Sequence, residues 1–143
     1  MTTKTEPRQL TRDEILGADD RTTEVVAVPE WGGAVTIRAL SGTERDQYEA
    51  SFVTYRRNDN GGMEVGAIQT ANVRARLVAL SIVGPDGTRL FAEKDILALG
   101  DKSAAALERV FTAAQRLSGL TDKDVEALSA GLKADLNGSS GSD

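Results

Sequence analysis

Histidine and cysteine are both absent from this sequence. Without histidine there is no imidazole to serve as a general base, a proton switch or a metal ligand. Without cysteine there are no disulfides, no thiol chemistry and no thiolate metal site. A reducing cytoplasm fits that absence. Aromatic residues make up only 4% of the chain, so the core must be built from Ala, Leu, Val and Ile with few large anchors. No apolar run approaches the ~20 residues that span a bilayer. The opening MTTKTEPRQLTRDEIL lacks the apolar segment of a signal peptide. The expectation is a soluble intracellular protein that makes no membrane contact. Enzyme signatures are missing as well: the sequence has no Walker motif, no dinucleotide fingerprint and no serine elbow.

The 143 residues suit one ordinary domain, and 40% hydrophobic content supports a modest core. A net charge of -5 argues against a nucleic-acid surface, which normally needs a basic patch. The organisation read from the chain is a flexible arm over 1–22 with a short helix, a single domain over 23–136 and a disordered tail over 137–143. In the arm, Thr11 and Glu14 form a capping-box pattern and Gly17 a stop. The tail, NGSSGSD, has the composition of an unstructured segment.

Hydrophobic periodicity sets the expected elements. TEVVAV at 23–28 and AVTIRAL at 34–40 are rich in β-branched residues. In the second, Val35, Ile37 and Ala39 alternate with Thr36 and Arg38, as on a half-buried strand. The connection PEWGG closes the two into a hairpin with Trp31 at its tip. Past Gly42 the period changes. Thr43 and Asp46 read as a cap, and Tyr48, Phe52 and Tyr55 fall on one helical face. Arg56 and Arg57 then occupy the last turn, and NDNGG at 58–62 is a loop. A core helix is expected over 67–83, with Ile68, Ala71, Ala75, Val78 and Ile82 as its stripe. Asp86-Gly87 marks a turn, with room for a small hairpin pairing 81–83 with 88–91. A short helix ending at Gly100 follows. Ser103 caps the next, with Leu107, Val110, Phe111, Ala114 and Leu117 inward and Gly119 as its stop. Thr121 and Asp124 cap a last helix bearing Val125, Leu128, Leu132 and Leu136. The predicted class is α+β, mainly α-helical, with an N-terminal β-hairpin packed against three to four main helices.

Asp19-Asp20 and Asp122 with Asp124 are the closest carboxylate pairs. Two carboxylates plus water can hold magnesium, but solvated faces and first-turn helix charges explain both pairs better. Arg56, Arg57, Arg74 and Arg76 read as ion-pair partners rather than an RNA contact. The aromatics do not interleave with them on a strand as an RNA-recognition sheet needs; Tyr48, Phe52, Tyr55, Phe91 and Phe111 read as core fillers. Trp31 has two readings. It is an interface anchor, a role in which Trp is enriched, or it folds back over the core, as most tryptophans do.

The string VPEWGGAVTIRALSGTERDQYE resembles the N-terminal region of tail assembly chaperones of long-tailed phages and prophages, especially those of actinobacterial hosts. ARLVALSIVGPDGTRLF is similar to that family's central helix and hairpin, and ALGDKSAAALERVFTAAQRLSGLT to its C-terminal helical region. The resemblance spans roughly residues 23–130. It implies a non-enzymatic protein without cofactor or metal, acting in the bacterial host cytoplasm and absent from the mature virion. The implied partner is the tape measure protein, with the tail tube protein and a frameshifted longer form of the chain as further partners. Trp31, Gly32 and Gly33 are the candidate contact residues; no catalytic, cofactor or metal residue is expected. Two other readings compete: a head-tail connector or tail completion protein that stays in the particle, and a small carboxylate enzyme using a metal.

Overall fold

The computed structural model describes residues 6–120. The last expected helix, over 121–136, and the tail at 137–143 lie outside the described residues. Among those described, the chain forms an α+β fold in which helix exceeds strand. It begins with helix α1 (Arg12–Gly17), which buries no residue. Strands β1 (Thr23–Val28) and β2 (Gly33–Arg38) then form the expected antiparallel hairpin, pairing Val26 with Val35 and Glu24 with Ile37. The alternation read from the sequence sets the inner face. Val28 and Ile37 are fully buried, while Val25 on the outer face stays exposed.

Helix α2 (Gly42–Ala50) starts two residues earlier than expected. Ser41, not Thr43, is the cap. Its hydroxyl accepts from the Glu44 amide at 3.2 Å, and the Glu44 carboxylate accepts from the Ser41 amide at 2.9 Å. Glutamate at the third helical position completes both halves of a capping box, which Thr43 and Asp46 do not form. Glu44 has a second role. It is buried, and it pairs with Arg21 and with Arg89, the latter at 3.1 Å. One carboxylate therefore ties the segment before β1 to the start of α2 and to a later hairpin.

The expected helical face of Tyr48, Phe52 and Tyr55 is only partly correct. Tyr48 and Phe52 are buried edge to face, with ring centroids 5.0 Å apart. The helix stops at Ala50, and Tyr55 lies exposed on strand β3 (Val53–Arg57). Arg56 and Arg57 are strand residues, not a last helical turn. β3 pairs with β4 (Met63–Ile68) as a separate two-stranded ribbon around the 58–62 loop. The β-branched and aromatic run Val53-Thr54-Tyr55 favours a strand, and the Arg56–Glu64 ion pair at 2.9 Å links the two strands. The core helix is correspondingly shorter than read. α3 spans Val73–Ser81, leaving Ile68 on β4 and Ala71 in a turn, with Ile82 on β5 (Ile82–Val83). Arg76 holds this junction. Its guanidinium donates to the carbonyls of Ser51 and, at 2.9 Å, Gln69, and lies 5.4 Å from the Phe52 ring centroid.

β5 adds to β2, giving a three-stranded sheet in the order β1-β2-β5. The second hairpin occurs where expected but is minimal, with one bridge between Val83 and Arg89. Its turn uses the left-handed conformation of Gly87, φ 81°, while the Asp86 carboxylate accepts from the Thr88 amide and hydroxyl. Helix α4 (Ile96–Gly100) and helix α5 (Ala104–Leu117) complete the described fold. Ser103 caps α5 by accepting from the Ala106 amide at 3.2 Å. The stripe of Leu107, Val110, Phe111 and Ala114 is buried as expected, and Gly119 ends the turn at φ 72°. α5 packs between the sheet and α3, so the core lies on both sides of it.

The Tyr48 hydroxyl is buried and, among the described residues, has no hydrogen-bond partner. Burial pushes its pKa up from 10.0 to about 12, against the opposing positive charge of Arg76 and Arg74. Between those values the unfolded phenol releases its proton while the folded one keeps it. Stability should therefore fall as pH rises through this window. Tyr48→Phe is expected to flatten that part of the profile. It should cost little at neutral pH, because it removes an unsatisfied hydroxyl. Urea midpoints of both proteins across alkaline pH check this; parallel profiles would contradict it.

Candidate functional site

Pro29 begins a single 3-10 turn at the hairpin tip, which Trp31 ends. Gly32 follows in the left-handed region, φ 74°, with its amide donating to the Pro29 carbonyl at 3.0 Å. Only glycine takes that conformation without strain. Gly33 opens β2 opposite Val28. A side chain at either glycine would meet open space, so both present bare backbone at the surface. Glu30 fastens the tip to α5 through both carboxylate oxygens, at 3.0 and 3.1 Å from Arg109 Nε. Its own backbone amide and Arg109 hold the carboxyl below the ordinary carboxylate range.

The Trp31 ring is half-buried and packs against the core. It also borders a depression of about 570 Å³, lined with Leu90, Phe91, Ala98, Leu99 and Lys102. On the other side of Phe91 lies a groove of about 470 Å³ between α2, α3 and the 89–96 segment. Tyr48, Ala79, Leu80 and Ile96 form its apolar wall, and Gln47 and Arg89 lie along its polar side. Phe91 is thus the shared wall of two neighbouring depressions. Leu90 and Leu97 stand exposed in the same stretch, at 58% and 73%. Trp31 was legible as a candidate from sequence. Phe91 reads from the sequence only as core, and its neighbours come from α2, α3 and α4, far apart in the chain. The adjacent apolar pair Leu90-Phe91 was the signal that the sequence offered.

Among the described residues, no group of three or more acidic, histidine or cysteine side chains is placed to hold a metal. Asp19 and Asp20 are exposed, and Asp122 and Asp124 lie outside the described residues. Of the arginines, Arg56 pairs with Glu64 and Arg74 with Glu108, while Arg76 binds backbone carbonyls. No described helix is long and apolar enough to cross a membrane.

The arrangement is a small α+β fold with apolar depressions and, among the described residues, no group of side chains placed to hold a metal. The model of the phage tail assembly chaperone family matches residues 17–129, most of the chain, and the protein belongs to that family. It is therefore a non-catalytic assembly factor for phage tails, working with tail components. Neither a curated protein nor a solved structure gives a significant match.

Proposed function

We propose that this chain binds the tape measure protein of its phage and keeps that protein's apolar helices soluble while the tail is built. The observation that carries this reading is the pair of depressions sharing Phe91, with Trp31 at one end and Leu80 and Ile96 at the other. An amphipathic helix docks by seating residues three, four and seven positions apart in such a surface. Two adjoining depressions provide two seats. The bare backbone at Gly32 and Gly33 extends the Trp31 end, so Trp31, Gly32 and Gly33 are contact residues in this reading. The tail tube protein and a frameshifted longer form of the chain are further partners. The chain acts in the cytoplasm of the bacterial host and leaves before the tail is complete.

The competing reading is a connector that remains in the particle. Mass spectrometry separates the two. Infected cells should contain the protein in quantity, and purified virions should contain none. A few copies per virion would overturn the chaperone reading in favour of the connector.

A further inference from the structure

Strand β1 forms the open margin of the β1-β2-β5 sheet. The Ala39 amide donates to the Thr22 carbonyl at 2.9 Å, and the β1–β2 register continues from there without a bulge. Bonded and non-bonded pairs alternate along such a ladder. Glu24, Val26 and Val28 therefore turn their backbone groups toward β2, and Thr23, Val25 and Ala27 turn theirs outward. Among the described residues, no backbone group pairs with these three. Native proteins blunt an open edge with lysine, proline, a bulge or a very short strand. The six residues TEVVAV use none of these devices, and Val25 stands 69% exposed.

A trough of about 510 Å³ runs between this edge and α5, lined with Val26, Ala27, Ala105, Glu108, Arg109 and Thr112. Arg116 pairs with Glu24, and Arg109 with Glu30, so α5 runs antiparallel to β1. Ala105, Glu108, Thr112 and Arg116 are exposed and follow one another at helical spacing, on one face of α5. A client helix does not suit this edge, because its own backbone groups are already bonded internally. An extended strand does.

We propose that β1 pairs with β1 of a second copy, antiparallel across a two-fold axis through Val25, giving one sheet in the order β5-β2-β1-β1-β2-β5. The strand is complementary to itself in this register. Val25 faces its own mate and Thr23 faces Ala27, so the outward groups form roughly six backbone bonds. Glu24, the single charge on the strand, falls opposite Val26 and not opposite itself. The helices fit as well. Paired strands lie about 4.8 Å apart, and α5 packs on both β1 and β2. The two α5 helices therefore come roughly 10 Å apart, the separation of packed helices, and the small side chains of Ala105 and Thr112 permit it. Thr112 lies between the Arg116–Glu24 and Arg109–Glu30 contacts, so the axis passes near it. Four positions either side, Glu108 of each copy stands opposite Arg116 of the other. Glu108 already pairs with Arg74, and Arg116 with Glu24. The contact thus extends both pairs into a line of alternating sign, while Arg109 stays with Glu30. The pairing uses no residue of the depressions around Phe91 and does not depend on the client reading.

Sedimentation velocity on the full chain tests this. The wild type should pass from monomer to dimer as concentration rises. Val25→Lys puts two like charges at the axis and should stay monomeric, with an unchanged circular dichroism spectrum. Met63→Lys, at an exposed site on the β3–β4 ribbon, should dimerise like the wild type. A wild type that is monomeric at every concentration, or a Val25→Lys dimer, would overturn the proposal. Amide exchange resolved by residue reads the same edge without a variant. In the dimer, the amides of Thr23, Val25 and Ala27 should be protected like those of Glu24, Val26 and Val28. Dilution to monomer should release the first three alone. Fast exchange of those three in the dimer would place the contact elsewhere, and protection persisting in the monomer would mean that another part of the chain covers the edge. Either result overturns the pairing.

Discussion

Phe52→Ala is expected to destabilise the protein by about 3–5 kcal/mol, the range for truncating a buried aromatic ring. Three elements meet on this ring. It ends the turn after α2, meets the Tyr48 ring at 5.0 Å, and lies beneath the Arg76 guanidinium that holds the Ser51 and Gln69 carbonyls. Its loss opens a cavity and loosens the junction of α2, the β3–β4 ribbon and α3. For a domain of this size the melting temperature should fall by roughly 10–20 °C. Tyr55→Ala makes the comparison sharp. Tyr55 is mostly exposed, so its truncation should change stability by less than ~0.5 kcal/mol. Thermal unfolding of the two variants checks both values. Similar losses would mean that the two rings share one buried helical face.

The largest expected effect on binding comes from the wall between the two depressions. Phe91→Ala should weaken binding of the tape measure protein about 30-fold, equivalent to ~2 kcal/mol for a central aromatic anchor. Trp31→Ala should act similarly at the other end, with a cost of its own. The ring is half-buried against the core, so its loss should lower stability by about 2 kcal/mol, less than the ~3–5 of full burial. As the single tryptophan, Trp31 also reports on its own state. Its emission should lie between that of a buried and a wet indole, and shift to the blue when client is added. If Trp31→Ala melted early yet bound client normally, the ring would be a cover for the core and nothing more.

Local chemistry with a single outcome could be read from the chain. The β1–β2 hairpin followed from Val35 and Ile37 alternating with Thr36 and from glycines at the tip. α5 followed from a stripe kept over three turns between Ser103 and Gly119. The errors lie where two periods overlap. Tyr48, Phe52 and Tyr55 keep helical spacing, but the helix has ended before the third of them. Val53, Thr54 and Tyr55 prefer a strand, and Arg76 caps the Ser51 carbonyl from 25 positions away. No local pattern could show that bond. The cap at Ser41 is visible in the sequence, since Glu44 stands three residues on, but Thr43 and Asp46 offer an overlapping pattern with the same spacing.

The candidate surface was less legible for the same physical reason. Trp31 stood out by rarity and by its place between Glu30 and two glycines. Phe91 did not, because its depressions are assembled by tertiary contact among Trp31, Tyr48, Leu80 and Ile96. Pairings such as Glu30 with Arg109 and Arg21 with Glu44 fix the surroundings of that surface. Each joins residues more than 20 positions apart, and charge alone does not choose the partner.

Amide hydrogen exchange on the full chain, with and without the cognate tape measure protein, tests the central claim most directly. Segments 31–33 and 89–99 should become protected on binding, while the outer strand face around Val25 should not change. Protection confined to other segments, or none at saturating client, would contradict a tape-measure site on either side of Phe91.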